Sequence, residues 1–326
     1  MATPMIIDTD PGVDDAMAIA FAVAHPEIDL VGITTVFGNV SVVQATENAL
    51  ALLSRFGAGK VPVAKGAAVP LTQDPLPHPD FVHGQNGLGN VEITATGKAR
   101  APVSMSAAQF IVDQANVYQG ELVLVAVGPL TNVALAIRLD PELPRKLKQL
   151  VIMGGTVDEP GNVSPVAEAN FLNDPHSADI VMGAGGSITV VGLDVTHKVI
   201  LSDTSLMQLR DNAGDTGKIL WDTSRFYVSY YSSTGAASGM DEPGCCMHDA
   251  AAVAFVVAPE LFEVIQGPAR VVTDGVGAGQ LTINRKGYTY LLKYWENRPP
   301  VAVCMQVKAE ELIAFFLGTL VDHHLR

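Results

Sequence analysis

Apolar residues come along this chain in short dense runs of two alternating textures. One kind is brief and β-branched: "MII" at 5–7, "DLVGITTVFG" at 29–38, "ELVLVAV" at 121–127, "QLVIMGG" at 149–155 and "SITVVGL" at 187–193. The other is alanine-rich: "DDAMAIAFAVAH" at 14–25, "VVQATENALALLSRFG" at 42–57, "TNVALAIRL" at 131–139 and "HSADIVMGAGG" at 176–186. Strand-like runs alternating with helical ones predict crossover units on a parallel sheet, whose strands are apolar because helices cover both faces. The expected class is α/β, with an open, mostly parallel central sheet flanked by helices. No repeat, low-complexity tract or linker divides residues 1–326, so one domain is expected.

Two stretches break the alternation. "AVPLTQDPLPHPDFVHGQNGLGN", within 68–101, is rich in Pro, Gly and His and has no period. "STGAASGMDEPGCC" at 233–246 has a similar composition and leads into "MHDAAAVAFVV". Long irregular loops in a compact domain are commonly functional. The polar clusters share a position, since Asp8 and Asp10, Asn39, Gly128 to Asn132, and Met153 to Gly155 each follow a strand-like run. In open parallel sheets the ligand crevice lies beyond the carboxyl ends of the strands, so these segments are expected to converge there.

Charge sharpens the picture at the first of these clusters. Asp8, Asp10, Asp14 and Asp15 crowd into "DTDPGVDD" between core-forming runs. Two carboxylates about 4 Å apart repel by roughly 4 kcal/mol at a surface-like dielectric, so a positive group or a shifted pKa belongs to the folded site. An EF-hand loop starting at Asp8 fails, because its twelfth residue is Ile19 rather than Glu. "DTDPGV" also fits a phosphohydrolase with Asp8 as nucleophile, although "GDTGK" at 214–218 is a poor match for the later acidic motif. "GAGK" at 57–60 lacks the spacing of a phosphate loop and reads as a helix-ending turn. Helix capping explains one or two of the aspartates, Asp14 above all, but not four. A divalent cation explains them all. Hard carboxylate oxygens suit Ca²⁺ or Mg²⁺, and zinc is disfavoured without a Cys/His set.

The overall charge of −14 argues against nucleic acid and anionic membrane as partners and leaves a small neutral ligand or a cation. Three cysteines, two of them adjacent, favour a reducing compartment. The N-terminus has no basic region, and "AAAVAFVVA" is too short for a membrane helix, so a cytoplasmic protein is expected.

The ordered set "DTDPGVDDA", "GITTVFGN", "VAVGPLTN", "VIMGG", "GNVSPVAEAN" and "HDA", running from residue 5 to about 260, resembles the inosine-uridine-preferring nucleoside hydrolases. The resemblance implies a Rossmann-like α/β core and calcium-dependent hydrolysis of the N-glycosidic bond of ribonucleosides, by a homodimer or homotetramer. It implies that Asp10, Asp15, Asp249 and the main-chain carbonyl of Val127 hold Ca²⁺, and that Asp10 is the general base. It assigns Asp14 to the 2′-hydroxyl of ribose, Asn162 and Glu168 to the 5′-hydroxyl, Asn170 to the lower hydroxyls and Asn39 to a link between metal and sugar. Met153 would lie against the sugar ring, or simply end a buried strand. Ala169 stands where the family usually has Phe. His248 matches a histidine that contacts the leaving base and is expected to protonate it. His83 and the aromatics Phe226, Tyr227, Tyr230 and Tyr231 are further candidates, although a tyrosine-rich helix is also ordinary amphipathic packing. A nucleoside-binding protein without turnover is the remaining alternative.

Overall fold

The computed structural model describes residues 2–96, 100–234 and 242–325. Its strands are β1 Thr3–Thr9, β2 Ile28–Thr35, β3 Val63–Lys65, β4 Val123–Ala126, β5 Gln149–Met153, β6 Ile188–Val191, β7 Ile200–Ser202, β8 Gly244–Cys246, β9 Phe262–Val271, β10 Leu281–Ile283 and β11 Pro300–Val307. Nine of them form one sheet in the order β10-β9-β11-β6-β5-β4-β1-β2-β3, and β7 and β8 pair separately. From β3 through β6 to β11 every pairing is parallel, whereas β9 and β10 run antiparallel at one edge. The alternation of runs predicts the parallel part. The antiparallel edge was not expected, because β9 alternates exposed with buried residues where a doubly covered strand is apolar throughout.

Strand pleating sorts the core into two. Met5 and Ile7, Val123 and Val125, and Val151 and Met153 join one hydrophobic cluster, with helices Val13–Ala24, Gly214–Thr234, His248–Val257 and Ala309–His324. Ile6, Leu124, Ala126, Leu150 and Ile152 join the other, with helices Ala107–Val117, Thr131–Leu139 and Pro175–Met182. Successive side chains of a strand point to opposite faces, so helices on both sides are needed to bury them.

The parallel register also levels the strand ends. Asp8 pairs with Thr34 and with Ala126, Ala126 with Ile152, and Met153 with Val191, so the segments that follow these strands emerge side by side. Residues 68–96 are irregular apart from the short helix Asp80–His83, in keeping with the missing period. Gly57, in the left-handed region at φ +79°, ends the helix Val42–Arg55, so "GAGK" is the turn expected. Of the second irregular stretch, residues 235–241 lie outside the described residues. No helix among the described residues is long and apolar enough to cross a membrane.

Candidate active site

One wall of the crevice is acidic. Asp8 ends β1, Asp10 follows it, and Asp14 and Asp15 lie in the first turn of helix Val13–Ala24, where the helix dipole favours negative charge. Asp249 occupies the same place on helix His248–Val257. These two helices pack against each other, which brings the N-terminal and late motifs together. Carboxylate oxygens of Asp14, Asp15 and Asp249 all lie within 4.8 Å of one another, and all three residues are buried. The sequence placed Asp10 rather than Asp14 in this set; Asp10 adjoins it, raising the pKa of Asp249 alongside the other two.

Satisfaction is uneven across the wall. Asp15 accepts from the Gly12 amide at 2.8 Å, from Asn39 Nδ2 at 3.1 Å and from the Thr9 hydroxyl. Asp10 Oδ2 accepts the Asn39 amide at 2.6 Å, so Asn39 joins Asp10 to Asp15, while Asp10 Oδ1 is buried with no hydrogen-bond partner. Asp8 Oδ1 accepts from Thr34 at 2.5 Å and Asn132 at 2.7 Å, and its Oδ2 is likewise unpartnered. The Tyr227 hydroxyl and the Asp249 amide lie beside Asp14 and lower its pKa against the burial. Burial, followed by repulsion from Asp15, pushes Asp10 and Asp14 well above the usual carboxylate range. Burial and then Asp14, Asp15 and Asp10 do the same to Asp249, and burial alone lifts Asp8 to about 7 against its two donors. A β-carbon at Gly38 would fall 1.9 Å from Asp10 Oδ2, and one at Gly128 2.5 Å from Oδ1. Those glycines keep the Asp10 carboxylate in its place. An all-oxygen, multiply anionic donor set with an open, buried oxygen fits a hard divalent cation.

The sugar-side residues are held from below. Glu168 is buried at the N-terminus of helix Ala169–Asn173 and accepts from the amides of Gly155 at 2.8 Å, Asn170 at 2.8 Å and Phe171 at 3.1 Å. Burial raises its pKa despite those donors. Asn162 is exposed, and its Oδ1 accepts the Ala169 amide at 3.0 Å, which leaves its Nδ2 to donate. Asn170 Nδ2 donates to the Val127 carbonyl at 2.8 Å and the Met153 carbonyl at 3.1 Å. The Val127 carbonyl expected to face a metal is therefore shared with Asn170. Met153 is a buried core residue, as its alternative reading had it.

Adjoining the carboxylates stands an aromatic wall. Tyr227 and Tyr231 are four apart on helix Gly214–Thr234 and both are buried. The Tyr231 hydroxyl lies 2.7 Å from His248 Nε2 and 3.4 Å from the Tyr227 hydroxyl, and it adjoins the Cys246 thiol, whose pKa it lowers. His248 Nδ1 lies 2.7 Å from Thr196 Oγ1. Both ring nitrogens of His248 are thus engaged, and burial followed by the nearby His197 and His83 holds its pKa well below the ordinary value. The resemblance implies direct contact of His248 with the base; in the structure its Nε2 faces the Tyr231 hydroxyl. His83 stacks on Tyr227 with ring centres 5.1 Å apart, its Nδ1 accepts the Val13 amide at 3.3 Å, and burial lowers its pKa to about 3. Tyr230 packs on Phe81 and edge-on against Tyr231, with ring centres 5.9 and 5.5 Å away.

Several residues escaped the sequence reading. Thr196, Asp174 and Asp194 are buried and no local pattern marks them, while Asn132, placed by sequence in the cluster after β4, carries no role there. Asn132 ties Asp8 to the Thr35 carbonyl and the Ala67 amide. Asp174 joins Leu71 to Thr131, and Asp194 accepts the amides of Val157, Asp158 and Glu159. The four-residue spacing of Tyr227 and Tyr231 was the one visible clue.

A carboxylate-lined crevice at the carboxyl edge of a parallel sheet, faced by a histidine–tyrosine wall, defines an α/β protein with the equipment of a hydrolase. Residues 5–314 match the family model for the inosine-uridine preferring nucleoside hydrolases, and this chain belongs to that family and so to the N-ribosyl hydrolases. It is 39% identical over 316 residues to a probable uridine nucleosidase 1 of Oryza sativa subsp. japonica, covering 95% of this chain and 94% of that one. It is 40% identical over 275 residues to the non-specific ribonucleoside hydrolase RihC of Escherichia coli (strain SMS-3-5 / SECEC), covering 84% and 86%. Among solved structures, a plant nucleoside hydrolase, the PpNRh1 enzyme, superposes with a TM-score of 0.91 at 36% identity, over 98% of this chain and 99% of that one. A purine-preferring ribonucleoside hydrolase from Gardnerella vaginalis gives 0.89 at 34% identity, over 98% and 99%.

Proposed function

We propose that this chain cleaves the N-glycosidic bond of ribonucleosides with a Ca²⁺ ion on its acidic wall, releasing ribose and the free base. The observation that carries the reading is the buried, unpartnered Asp10 Oδ1 beside the clustered carboxylates of Asp14, Asp15 and Asp249. Similarity to chains named uridine nucleosidases makes uridine the first substrate to try, with inosine beside it.

Asp10, Asp15 and Asp249 would hold the cation, with the Val127 carbonyl close by. The family resemblance assigns Asp14 to the 2′-hydroxyl, and the Tyr227 hydroxyl beside it stabilises its charge. When bound, the cation supplies the positive charge that lets the carboxylates stay ionised, and Lewis acidity toward water and sugar hydroxyls. Asp10 Oδ1 takes a proton from the attacking water as the water oxygen bonds to C1′ and the C1′–N bond breaks, its electron pair leaving with the base. Glu168, with one acceptor site left, and Asn162, with a free amide donor, suit the 5′-hydroxyl. Carboxylates around the ring stabilise the oxocarbenium-like charge.

The leaving base receives its proton from the Tyr231 hydroxyl, and His248 stabilises the phenolate that results. Tyr231 holds that proton until a stronger base develops, since burial pushes its pKa well up. Exchange with solvent returns the proton from Asp10 to Tyr231 after the products leave. Asp8 is fully buried and bonded by Thr34 and Asn132, which weighs against a nucleophilic role.

A panel of ribonucleosides and a phosphate monoester, scored for reducing sugar and for phosphate, tests the reading. Sugar release from uridine or inosine without phosphate release is expected. Phosphate release that depends on Asp8, or nucleoside binding without turnover, would overturn it.

A further inference from the structure

Thr196 ends the short helix Leu193–Thr196, and its side chain is fully buried. Its hydroxyl has one hydrogen-bond partner among the described residues, His248 Nδ1 at 2.7 Å. A hydroxyl carries one proton and two lone pairs, and a buried O–H left without an acceptor is costly. Were Nδ1 protonated, in the neutral ring or in the imidazolium, it would donate to Thr196 and leave the threonine proton with nowhere to go. The less costly arrangement has the Thr196 O–H donating to an unprotonated Nδ1. The ring proton then sits on Nε2, which donates to the Tyr231 oxygen at 2.7 Å.

That orientation propagates. With its oxygen accepting from His248, Tyr231 directs its own proton elsewhere, toward the Cys246 sulfur, the Tyr227 oxygen at 3.4 Å or the crevice. Tyr227 in turn lies beside the Asp14 carboxylate, whose pKa its hydroxyl lowers. Thr196, His248 and Tyr231 thus form one run with every donor pointing the same way, and Tyr227 continues it toward the Asp14 carboxylate. In the opposite tautomer Tyr231 would donate into His248, and its proton would be turned away from the substrate.

We infer that Thr196 is a positioning residue for glycosidic cleavage: by donating to Nδ1 it fixes the Nε2–H tautomer of His248 and so frees the Tyr231 proton for the leaving base. The catalytic consequence rests on the reading of Tyr231 as the acid, whereas the tautomer assignment does not. The proton balance needs no further reactant. Tyr231 Oη–H breaks as N–H forms on the departing base, and the Nε2–H bond of His248 persists as a hydrogen-bond donor to the phenolate.

The test joins a spectroscopic with a kinetic readout on the full-length protein in saturating calcium. Long-range ¹⁵N–¹H spectra, with the His248 resonances identified by His248→Gln, should show an unprotonated Nδ1 and a protonated Nε2 in the wild type. Thr196→Ser keeps the hydroxyl and should keep both the tautomer and the rate. Thr196→Val removes it at nearly constant volume and should populate the Nδ1–H form. It should also lower kcat on uridine or inosine by roughly tenfold with KM little changed, part of a general-acid contribution. p-Nitrophenyl riboside, whose leaving group needs no proton, should slow by less than about twofold. A wild-type ring protonated at Nδ1, or a Val variant with the wild-type tautomer and rate, would overturn the inference. Equal losses on both substrates would also overturn it, because a merely structural role produces them. Full activity of Tyr231→Phe on nucleosides would instead remove the acid reading and leave the tautomer result standing.

Discussion

The two walls of the crevice solve opposite problems. On the acidic side, five buried carboxylates share too few donors, and Asp8 Oδ2 and Asp10 Oδ1 are left with none. On the aromatic side, Thr196, His248, Tyr231 and Tyr227 follow one another in a run of hydrogen bonds that gives each a partner. Buried polar groups normally find partners, so the first wall is incomplete as protein alone and the second is not. The incomplete wall is suited to receiving something, a cation and the water it acidifies. The complete wall is suited to holding protons in fixed places. Catalysis on this account needs both, and substitutions should separate them.

The largest separation is expected at Asp10. Asp10→Asn preserves shape but removes the proton acceptor and one negative charge. Turnover should fall by about two orders of magnitude or more on nucleosides and on p-nitrophenyl riboside alike, as measured by reducing sugar. If Asp8→Asn were the damaging change and Asp10→Asn mild, the assignment of roles along the acidic wall would be wrong.

Tyr231→Phe should give a smaller and selective effect. Losing the phenolic proton should cost roughly tenfold to a hundredfold in kcat on uridine or inosine and spare p-nitrophenyl riboside. His248→Ala should show the same selectivity. Loss on both substrates would mean that the aromatic wall holds Asp249 and the acidic cluster in shape and takes no part in leaving-group departure.

The legibility of the two walls from sequence differs for a physical reason. Asp8, Asp10, Asp14 and Asp15 fall within one strand–turn–helix, so a local excess of charge exposes them. Asp249 stands alone at the start of a second apolar helix, and only the resemblance carried by "HDA" singles it out. The parallel sheet is equally local, each strand being a short apolar run. The aromatic wall draws on residues 196, 227, 231 and 248, which meet only because β7 and β8 pair and helix Gly214–Thr234 lies across β8. Thr196 is an ordinary buried threonine until Nδ1 of His248 is placed against it. The edge strands β9 and β10 were missed because one covered face gives them a mixed pattern.

The smallest effect expected is on stability, at His83. Burial lowers its pKa from 6.5 to about 3, so the folded protein leaves it neutral at pH values where the unfolded chain binds a proton. Its contribution is complete above pH 6.5 and is lost as pH falls from there toward 3, at about 1.4 kcal/mol per pH unit. Between pH 6.5 and 5 that amounts to roughly 2 kcal/mol, and His83→Gln should remove this part of the acid slope in denaturation measured with calcium saturating. An unchanged slope would mean that His83 stays accessible and titrates normally.

The central claim, that the acidic wall is built around a cation, is tested most directly by the melting temperature of chelator-stripped protein against added calcium. The account predicts a melting temperature that climbs with calcium, a gain of about 2.7 kcal/mol at a hundred times the dissociation constant, and recovery of ribose release over the same range. Asp249→Asn should blunt both. A melting temperature indifferent to calcium, with full ribose release from rigorously metal-free protein, would contradict it.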